Sequence, residues 1–595
     1  MNITPVNYRG FIYGFYVPPH RIIRTRRNGV EQWTGNSARS TGGYSMDDAP
    51  SKSGGFDGAK RIGNFDIEAL LSHGALDVLR DVQLVRSGRN ENYWNALRAG
   101  RPLPPPDVPF VYKKFLATLK AGGINVVDKG DTLKIVPLTD KAIEGISRGA
   151  ISTAETVDAK LRPIPGGLFD PKLTGGFSSS NWTHVDLPEP MPNPVMEEPI
   201  RRILGLKVRE YMDVIAGRKE LKGKRGGAGI LAALNDIDVP SQIELARRGA
   251  MTLRGASRDD AVKRLRYLKA AQDQGLHPRD WVVTKAPVIP PIFRPVSQIG
   301  DMVRVTDLNE LYRELIESSN NLGAMKAELP DDALAAEREQ LYQSLAAAFG
   351  LGESVSAEGR SKRLTGAIRQ VIGYRPKEGM FHRKVLSRTV DVVGRGVITP
   401  DPNLDMDSIG LPPDMAWELY KPFVTRRLSR RGFPPEAAAK LVAERSKEAA
   451  DMLQQEMAER PVIMDRAPTW HKFNLLAFSP SISDGKVIRI SPLIVNGFNA
   501  DFDGDAVNIH VPVSDAAVKQ SKERMLPSRN LFKLSDLESP MHTPGKEILL
   551  GLHQLTRPAV KGKPAVFNTV AEAKAAFRRG LIGANDPIVV RELQQ

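Results

Sequence analysis

Asn499-Ala500-Asp501-Phe502-Asp503-Gly504-Asp505 is the stretch that decides how this sequence is interpreted. Three carboxylates stand at alternate positions, and the glycine permits a tight turn. Alternate side chains of an extended backbone project to the same side, so the pattern predicts that the three carboxylates converge on one point. Packed anions repel one another, and a divalent cation is their natural counter-charge. Because the ligands are hard oxygen atoms, Mg2+ or Ca2+ is favoured over Zn2+.

Calcium loops of the EF-hand type also begin with Asp at alternate positions, so the two kinds of site have to be separated. Counted from Asp501, the sixth position is Ala506 where the calcium loop needs Gly, and the twelfth is Pro512 where it needs a bidentate Glu. The pattern therefore does not predict an EF-hand. From spacing alone, a magnesium site and a solvated acidic turn both remain open.

The composition predicts a large, folded, basic protein. A chain of 595 residues exceeds what one hydrophobic core organises, so several domains are expected. Lys and Arg number 84 against 69 Asp and Glu, and the formal charge of +15 favours a polyanionic partner such as nucleic acid, although many basic proteins are merely soluble. With no Cys, the chain has no disulfide, no thiolate nucleophile and no cysteine zinc site. No run of about 18 apolar residues occurs, so an intracellular, soluble protein is predicted.

Local patterns predict the coarse organisation. Residues 36–64 are rich in Gly, Ser and Asp and predict an irregular surface segment, whereas 66–82 and 108–121 have helical patterns. Residues 160–200 carry many Pro and Gly and predict a linker or an elaborated surface region. Short runs of Val, Ile and Thr after residue 385 predict strands. These runs lie at 389–393, 397–399, 487–490 and 507–511.

Two leucine patterns predict a helical hairpin. The first follows Asp307, a good N-cap residue, and the second follows the Pro330-Asp331-Asp332 break. The leucines with helical spacing are Leu308, Leu311, Leu315 and Leu322 in the first pattern and Leu334, Leu341 and Leu345 in the second. Two such helices around a short break are expected to run antiparallel.

The acidic stretch matches, in all seven residues, the active-site signature of the largest subunit of cellular RNA polymerases, called beta-prime in bacteria. Upstream, residues 465–471 resemble that subunit's Arg-Ala-Pro-Thr-Leu-His element, with Trp470 in place of Leu. Further similar segments lie at 307–312, 388–395, 510–512 and 550–553. The resemblance extends over about 260–590.

The first 127 residues resemble a different subunit. Three ordered segments, at 38–42, 61–70 and 119–126, are similar to the C-terminal end of the bacterial beta subunit. The chain is therefore interpreted as the tail of beta joined to the N-terminal half of beta-prime. This join, together with the missing zinc module, suggests a viral (phage) enzyme.

The resemblance implies a multidomain α+β fold with a double-psi β-barrel catalytic domain and a helical clamp that includes the antiparallel hairpin. The resemblance implies that 1–127 is the beta C-terminal-like region and that 128–370 is the beta-prime clamp, without a zinc ribbon and with clamp helices at about 307–346. It implies that 371–400 is the switch segment that contacts template DNA and that 401–520 is the barrel. Residues 521–595 would be the start of the downstream pore or funnel region.

The resemblance also implies the chemistry of nucleotidyl transfer in transcription. Asp501, Asp503 and Asp505 would hold one Mg2+, and a second would arrive with the nucleoside triphosphate; together they would activate the RNA 3′-hydroxyl and stabilise the leaving pyrophosphate. Arg466 and Asn499 would read the ribose of the nucleotide or of the RNA end, with a structural salt bridge as the alternative role of Arg466.

Template contacts are implied for basic residues ahead of the barrel. Their role would be sequence-independent binding of phosphates, and the alternative is that some are merely solvated. These residues are Lys377, Arg383, Lys384, Arg388 and Arg395.

The implied partners are beta N-terminal-like and beta-prime C-terminal-like chains, template DNA, nascent RNA, nucleoside triphosphates and a promoter-specificity factor. Residues 317–321 of the predicted clamp helices are acidic or neutral where bacterial clamp helices are basic, which leaves the type of that factor open. No zinc and no membrane are expected, and the expected location is the bacterial cytoplasm, an infected cell or a virion. Two alternatives to this enzyme remain, a non-catalytic DNA-binding scaffold with the same fold and an RNA-dependent polymerase with two barrels.

Overall fold

A computed structural model gives the fold of the chain. It describes residues 22–27, 30–35, 37–52, 58–128, 130, 132–158, 162–299, 302–375, 377–533, 535–536, 538–556, 564–583 and 586–591. The described residues fall into two compact units, a barrel unit from the ranges Met1–Phe110 and Leu386–Gln595 and a second unit from the range Val111–Val385. No helix in the described part of the chain combines the length and the apolar character that a membrane crossing requires.

A closed six-stranded barrel forms the centre of the barrel unit. Its strands, numbered in chain order, are β1 (Val393–Pro400), β2 (Ser408–Leu411), β3 (Val462–Asp465), β4 (Leu475–Ile482), β5 (Ile488–Ile490) and β6 (Ala506–His510). Neighbouring strands follow the order β5-β2-β4-β3-β6-β1, and a parallel pairing of β1 with β5 closes the ring. The pairing of β2 with β4 is also parallel, and the other barrel pairings are antiparallel.

Apolar side chains from alternate strand positions fill the barrel core, as in Met464 of β3 and Ile509 of β6, which are fully buried. The helix Pro413–Arg430 packs one face on this core, with Leu419 and Phe423 completely buried. Burial of apolar surface on this scale is the main stabilising contribution to such a core, at about 25 cal/mol per Å2.

Helices and further strands surround the barrel in the same unit. The helices are Asn64–Ser72, Leu76–Arg80, Glu91–Arg98, Pro413–Arg430, Pro435–Ala443, Lys447–Glu459, Val495–Phe498, Asp515–Arg524, Lys546–Leu555 and Val570–Arg578. The additional strands are Ile22–Arg27, Val30–Gly35, Ser37–Arg39, Lys60–Ile62, Arg388–Val390, Ala565–Phe567 and Ile588–Val590.

The N-terminal segment is part of the barrel unit. Its strand Ser37–Arg39 pairs antiparallel with β1, and Lys60–Ile62 pairs antiparallel with Arg388–Val390. Arg39 donates from Nε to Asp391 at 2.6 Å, and both side chains are buried. Burial raises the pKa of Asp391 to about 6 despite this ion pair. The region predicted to be an irregular surface segment thus contributes two strands and a buried ion pair.

The second unit is mainly helical and contains a three-stranded sheet. Its helices are Phe110–Ala121, Asp140–Ile146, Pro171–Thr174, Glu197–Leu204, Val208–Ile215, Gly226–Asn235, Val239–Thr252, Gly255–Asp273, Asp307–Glu328, Ala335–Phe349, Ala357–Lys362 and Ala367–Ile372. Its strands are Ile124–Asp128, Leu133–Pro137, Ser147–Ala150, Trp182–Pro192, Val282–Val288, Ser297–Ile299 and Met302–Arg304. The sheet follows the order Ser147–Ala150, Trp182–Pro192, Val282–Val288.

The two helices predicted from leucine spacing are present, whereas the predicted N-cap and the predicted linker need correction. The two leucine patterns form the helices Asp307–Glu328 and Ala335–Phe349, which contact each other through Ser318 and Ser344, whose hydroxyl oxygens are 2.8 Å apart. Asp307 lies inside the first helix and is not its N-cap. Of the two alternatives for 160–200, the linker is wrong in part, because the long strand Trp182–Pro192 lies there and pairs with a neighbouring strand.

The finer fold predictions stay predictions. The strand pairings show that the barrel is closed, but they do not test whether its connections are of the double-psi type. The two helices contact each other, and their antiparallel arrangement and their role in a clamp stay predictions. The predicted divisions at 127, 370, 400 and 520 are functional assignments, and the two compact units divide the described chain at different places.

Candidate metal centre

The acidic stretch forms a turn between the short helix Val495–Phe498 and strand β6. Asn499 ends the helix in the left-handed region with φ 45°, and Gly504 has φ 118°, a conformation that side chains with a Cβ rarely adopt. The prediction of an extended backbone is therefore wrong at this point. Convergence of the carboxylates is achieved by a turn, and Gly504 is the residue that permits it.

The three predicted carboxylates do come together. Asp501, Asp503 and Asp505 each offer one oxygen atom, and these atoms lie within 4.8 Å of one another. Asp501 and Asp503 are exposed, whereas Asp505 is buried. Phe502, between the first two, is partly buried and packs against the barrel core, so it anchors the turn between the two exposed carboxylates.

Arg466 contacts the buried member of the cluster. Its Nη2 and Nε lie 2.7 Å and 2.9 Å from the same oxygen, Oδ2 of Asp505. The backbone N–H of Asp501 also donates to that oxygen, at 3.1 Å, and the carbonyl of Asp505 accepts from Ile398 in β1 at 3.0 Å. Side chain and main chain of Asp505 are thus fixed from three directions. The salt bridge, which was the alternative role of Arg466, is present, and its role toward a ribose stays a prediction.

Asn474 ties the Arg466 loop to the acidic turn. Its side-chain amide donates to the carbonyl of Gly497 at 3.2 Å, in the helix that leads into the signature. Its backbone carbonyl accepts from the N–H of Arg466 at 3.2 Å, and its side-chain oxygen accepts from the N–H of Trp470 at 3.1 Å. Asn474 is buried, so these bonds are shielded from water and hold two separate sequence elements in one arrangement.

A pair of buried acidic residues lies beneath the same loop. The Thr469 hydroxyl lies within hydrogen-bonding distance of both Asp66 and Asp465, and Asn508 donates to Asp465 at 3.0 Å. Burial, reinforced by the nearby Asp66, raises the pKa of Asp465 to about 7, and burial also raises the pKa of Asp66. Sequence reasoning missed this pair, because Asp66 is 403 positions from Thr469, the residue that contacts both carboxylates, and no local pattern connects the two segments.

The predicted DNA-contacting residues differ in their surroundings. Lys377, Arg383 and Lys384 are exposed in the second unit, and Arg395 is exposed on β1 in the barrel unit. Arg388 is buried, its Nε donates to Gln83 at 3.0 Å, and burial lowers its pKa to about 10. A buried guanidinium with this contact packs the N-terminal segment and does not present itself to phosphates.

The geometry can hold a hard divalent cation. Carboxylate oxygens are hard ligands of the kind that Mg2+ prefers, and Arg466 places a positive charge beside one of the three carboxylates. The fold and the cluster together define a barrel protein with a candidate magnesium centre.

Comparison with known proteins finds relatives of the region that contains the acidic turn. Residues 434–526, which include Arg466 and the whole acidic turn, match the family model "RNA polymerase Rpb1, domain 2". The chain is 35% identical over 378 residues to the DNA-directed RNA polymerase subunit beta' of Dehalococcoides mccartyi, covering 62% of this chain and 29% of that protein. It is 33% identical over 380 residues to the subunit of the same name from Pseudoalteromonas translucida, covering 62% and 27%.

A third relative agrees. The beta' subunit of Bacillus licheniformis is 32% identical over 398 residues, covering 64% of this chain and 32% of that subunit. Together these matches support a relationship with the multisubunit RNA polymerases, which the sequence motifs had indicated. The matched parts amount to about three-tenths of the length of these relatives.

Proposed function

We propose that this chain carries the catalytic magnesium site of a DNA-directed RNA polymerase and works with partner chains that supply the rest of the enzyme. The observation that carries the proposal is the convergence of three carboxylate oxygen atoms within 4.8 Å, inside the region that matches the RNA polymerase family model. The resemblance of the seven-residue signature and the relatives' name point to the same chemistry.

Asp501, Asp503 and Asp505 are the residues that would hold the metal. Two of them are exposed and reachable by a substrate, whereas Asp505 is anchored by the barrel and by Arg466. Bound Mg2+ would act as a Lewis acid on the reacting oxygen atoms of a nucleotidyl transfer. The oxygen-only donor set fits this ion better than zinc, which prefers nitrogen and sulfur ligands.

The chain's own contribution is positioning and electrostatics. Arg466 holds the Asp505 carboxylate in one orientation and places a positive charge beside the cluster. Asn499 is exposed at the entrance of the turn, where its amide is available to a ribose hydroxyl. In a reaction that needs little covalent chemistry from the protein, such preorganised groups supply most of the rate enhancement.

The proposed partner chains rest on the relatives' name, which is that of one subunit of an RNA polymerase. We assign to this chain beta N-terminal-like and beta-prime C-terminal-like partner chains. The N-terminal segment fits this view as a beta-like tail, because its strand Ser37–Arg39 adds to barrel strand β1. Template DNA, nascent RNA, nucleoside triphosphates and a promoter-specificity factor complete the proposed assembly, and a phage origin remains part of the same hypothesis.

Transcription by the complex purified with its partner chains tests the proposal. Asp503→Asn removes one ligand charge with little change in shape and is expected to abolish RNA synthesis on DNA templates. Asp484→Asn is the matched control, since Asp484 is exposed between β4 and β5, outside the cluster. Mn2+ binding, measured by electron paramagnetic resonance, is expected to weaken in the first variant only.

The outcomes separate the alternatives. Unchanged synthesis by the Asp503→Asn complex would favour a non-catalytic DNA-binding scaffold and overturn the proposal. Synthesis on RNA templates in preference to DNA templates would favour an RNA-dependent polymerase. Loss of synthesis on DNA together with loss of Mn2+ binding supports the magnesium assignment.

A further inference from the structure

Two exposed aromatic side chains from distant parts of the sequence contact each other in the barrel unit. The rings of Phe65 and Trp470 have centroids 6.0 Å apart and are inclined by 30°. Phe65 is 54% exposed and Trp470 is 71% exposed. Single exposed apolar side chains are common on protein surfaces, but two large aromatic rings that contact each other and still face solvent are a candidate binding surface.

Buried polar contacts hold this aromatic pair in place. Asp66 follows Phe65 and Thr469 precedes Trp470, and the carboxylate of Asp66 accepts a hydrogen bond from the hydroxyl of Thr469. Asp66 also accepts from the N–H of Gly63 at 2.7 Å, which fixes the start of the helix Asn64–Ser72. Each ring thus stands on a rigid, buried support, so ordering it for binding costs little conformational entropy.

The aromatic pair is connected to the metal centre by short bonded paths. Trp470 donates its backbone N–H to Asn474, and the same asparagine donates to Gly497, just ahead of the acidic turn. Trp470 is also only four residues from Arg466, which contacts Asp505. Ala467 and Pro468, in the same loop, are exposed. The pair and the carboxylate cluster therefore belong to one continuous structural element.

We propose that Phe65 and Trp470 form a stacking platform for an unpaired nucleobase of a DNA or RNA strand beside the metal centre. The inference rests on the proposed function, which brings nucleic acid to this place. Every base has a planar π face, so stacking on an aromatic ring binds it without regard to sequence. The chain's charge of +15 favours a polyanion, and Lys472, two residues beyond Trp470, adds a cation to the same loop. A protein partner would be the other possible occupant.

A fluorescent base analogue tests the platform. The complex with its partner chains is mixed with a template–RNA scaffold that carries 2-aminopurine either in the first unpaired template position or at the RNA 3′ end. Stacking on an aromatic ring quenches the fluorescence of this base, so the position that is quenched identifies the strand. We expect quenching at one of the two positions in the unsubstituted complex.

The variants Trp470→Leu and Phe65→Leu keep apolar bulk and remove the ring. Each is expected to abolish or reduce the quenching and to weaken scaffold binding by about tenfold for Trp470, the order of magnitude of one base–aromatic stack. Phe577→Leu is the control, because Phe577 is 52% exposed in the same unit and has no part in the pair. It is expected to change neither signal.

Failure of this inference is distinct from failure of the proposed function. Quenching and affinity that are unchanged in both ring variants would overturn the platform and leave the magnesium site standing. Loss of co-purifying partner chains without loss of quenching would also overturn it and assign the pair to a protein contact. Conversely, Asp503→Asn is expected to stop synthesis while the quenching remains, which tests the metal centre independently.

Discussion

Arg466 donates to a single oxygen of Asp505 through two nitrogen atoms, at 2.7 Å from Nη2 and 2.9 Å from Nε. The same oxygen accepts from the backbone of Asp501, so one guanidinium and one amide fix the buried carboxylate of the cluster. Charged hydrogen bonds of this length are among the stronger polar contacts in proteins. The contact makes Arg466 both a support for the carboxylate and a competitor of the cation for its charge.

Arg466→Gln is expected to separate these two effects. Removing a positive charge from beside three carboxylates strengthens cation binding, and for charges a few Å apart at a protein surface the gain is on the order of tenfold. RNA synthesis is expected to fall at least about tenfold, because a preorganised donor near the reacting groups is lost. Mn2+ titration followed by electron paramagnetic resonance, beside a transcription assay on the same preparation, measures both. Weaker Mn2+ binding together with weaker synthesis would instead indicate that Arg466 only maintains the shape of the turn.

Gly504→Ala tests whether the turn itself is required. A φ of 118° strains any residue with a Cβ, typically by about 1–3 kcal/mol, and the turn can relieve the strain only by moving the carboxylates apart. We expect weaker Mn2+ binding and lower synthesis with little change in the melting temperature, because the turn is largely exposed. Gly432→Ala is the matched control, since Gly432 has φ 100° and open space around it in the same unit. Equal losses of synthesis in both variants would contradict the prediction.

Much of the metal centre could be predicted from local sequence. The spacing of Asp501, Asp503 and Asp505 and the choice of Gly504 are local properties, and the structure brings the three carboxylates together as expected. The charge balance of the cluster could not be predicted from spacing, because it depends on Arg466, which only the closure of the barrel places beside Asp505. The extended backbone was wrong because the pattern of alternate residues does not distinguish a strand from a tight turn.

The fold shows the same division between local and long-range information. Leucine spacing predicted the helices Asp307–Glu328 and Ala335–Phe349, because helical periodicity depends only on the residues of each segment itself. Strand Trp182–Pro192 was missed because three of its eleven residues are Pro and four more are polar, and its pairing with Val282–Val288 is what makes it a strand. The burial of Arg388 was likewise invisible, because its partner Gln83 lies in the N-terminal segment.

The buried pair Asp66 and Asp465 is expected to make stability depend on pH. Burial raises the pKa of Asp465 to about 7 and also raises that of Asp66, whereas both groups ionise near pH 4 in the unfolded chain. Between about pH 4 and pH 7 the folded state therefore binds more protons than the unfolded state, and the free energy of unfolding decreases as the pH rises through this window. Below this window the stabilisation of the folded state by the two protonated carboxyl groups is fully present. Above it both groups are ionised, and this stabilisation is lost.

Asp465→Asn is expected to remove most of this dependence. The amide keeps an acceptor for Asn508 and needs no proton, so the variant should gain about 2 kcal/mol relative to the unsubstituted chain between pH 5 and pH 8. Thermal unfolding of both proteins at the two pH values measures the difference, and other titrating groups cancel in the comparison. A difference in melting temperature that is the same at pH 5 and pH 8 would show that the pair holds no proton.

Lys377, Arg383 and Lys384 are exposed in the second unit, and we predict that they bind DNA phosphates. Each phosphate contact releases condensed counterions, so the slope of log K against log salt concentration falls by about 0.9 per contact removed from duplex DNA. Changing all three to Gln should therefore reduce the slope by roughly 2–3 and weaken binding equally for unrelated sequences. Arg248, Arg254 and Lys269 are exposed in the same unit, and changing these three to Gln alters the net charge by the same amount. Filter binding at several salt concentrations measures the slope for both triple variants. A smaller slope in the first variant only supports contacts of these three residues with phosphates. An equal decrease in both variants would mean that only the overall charge of the chain matters.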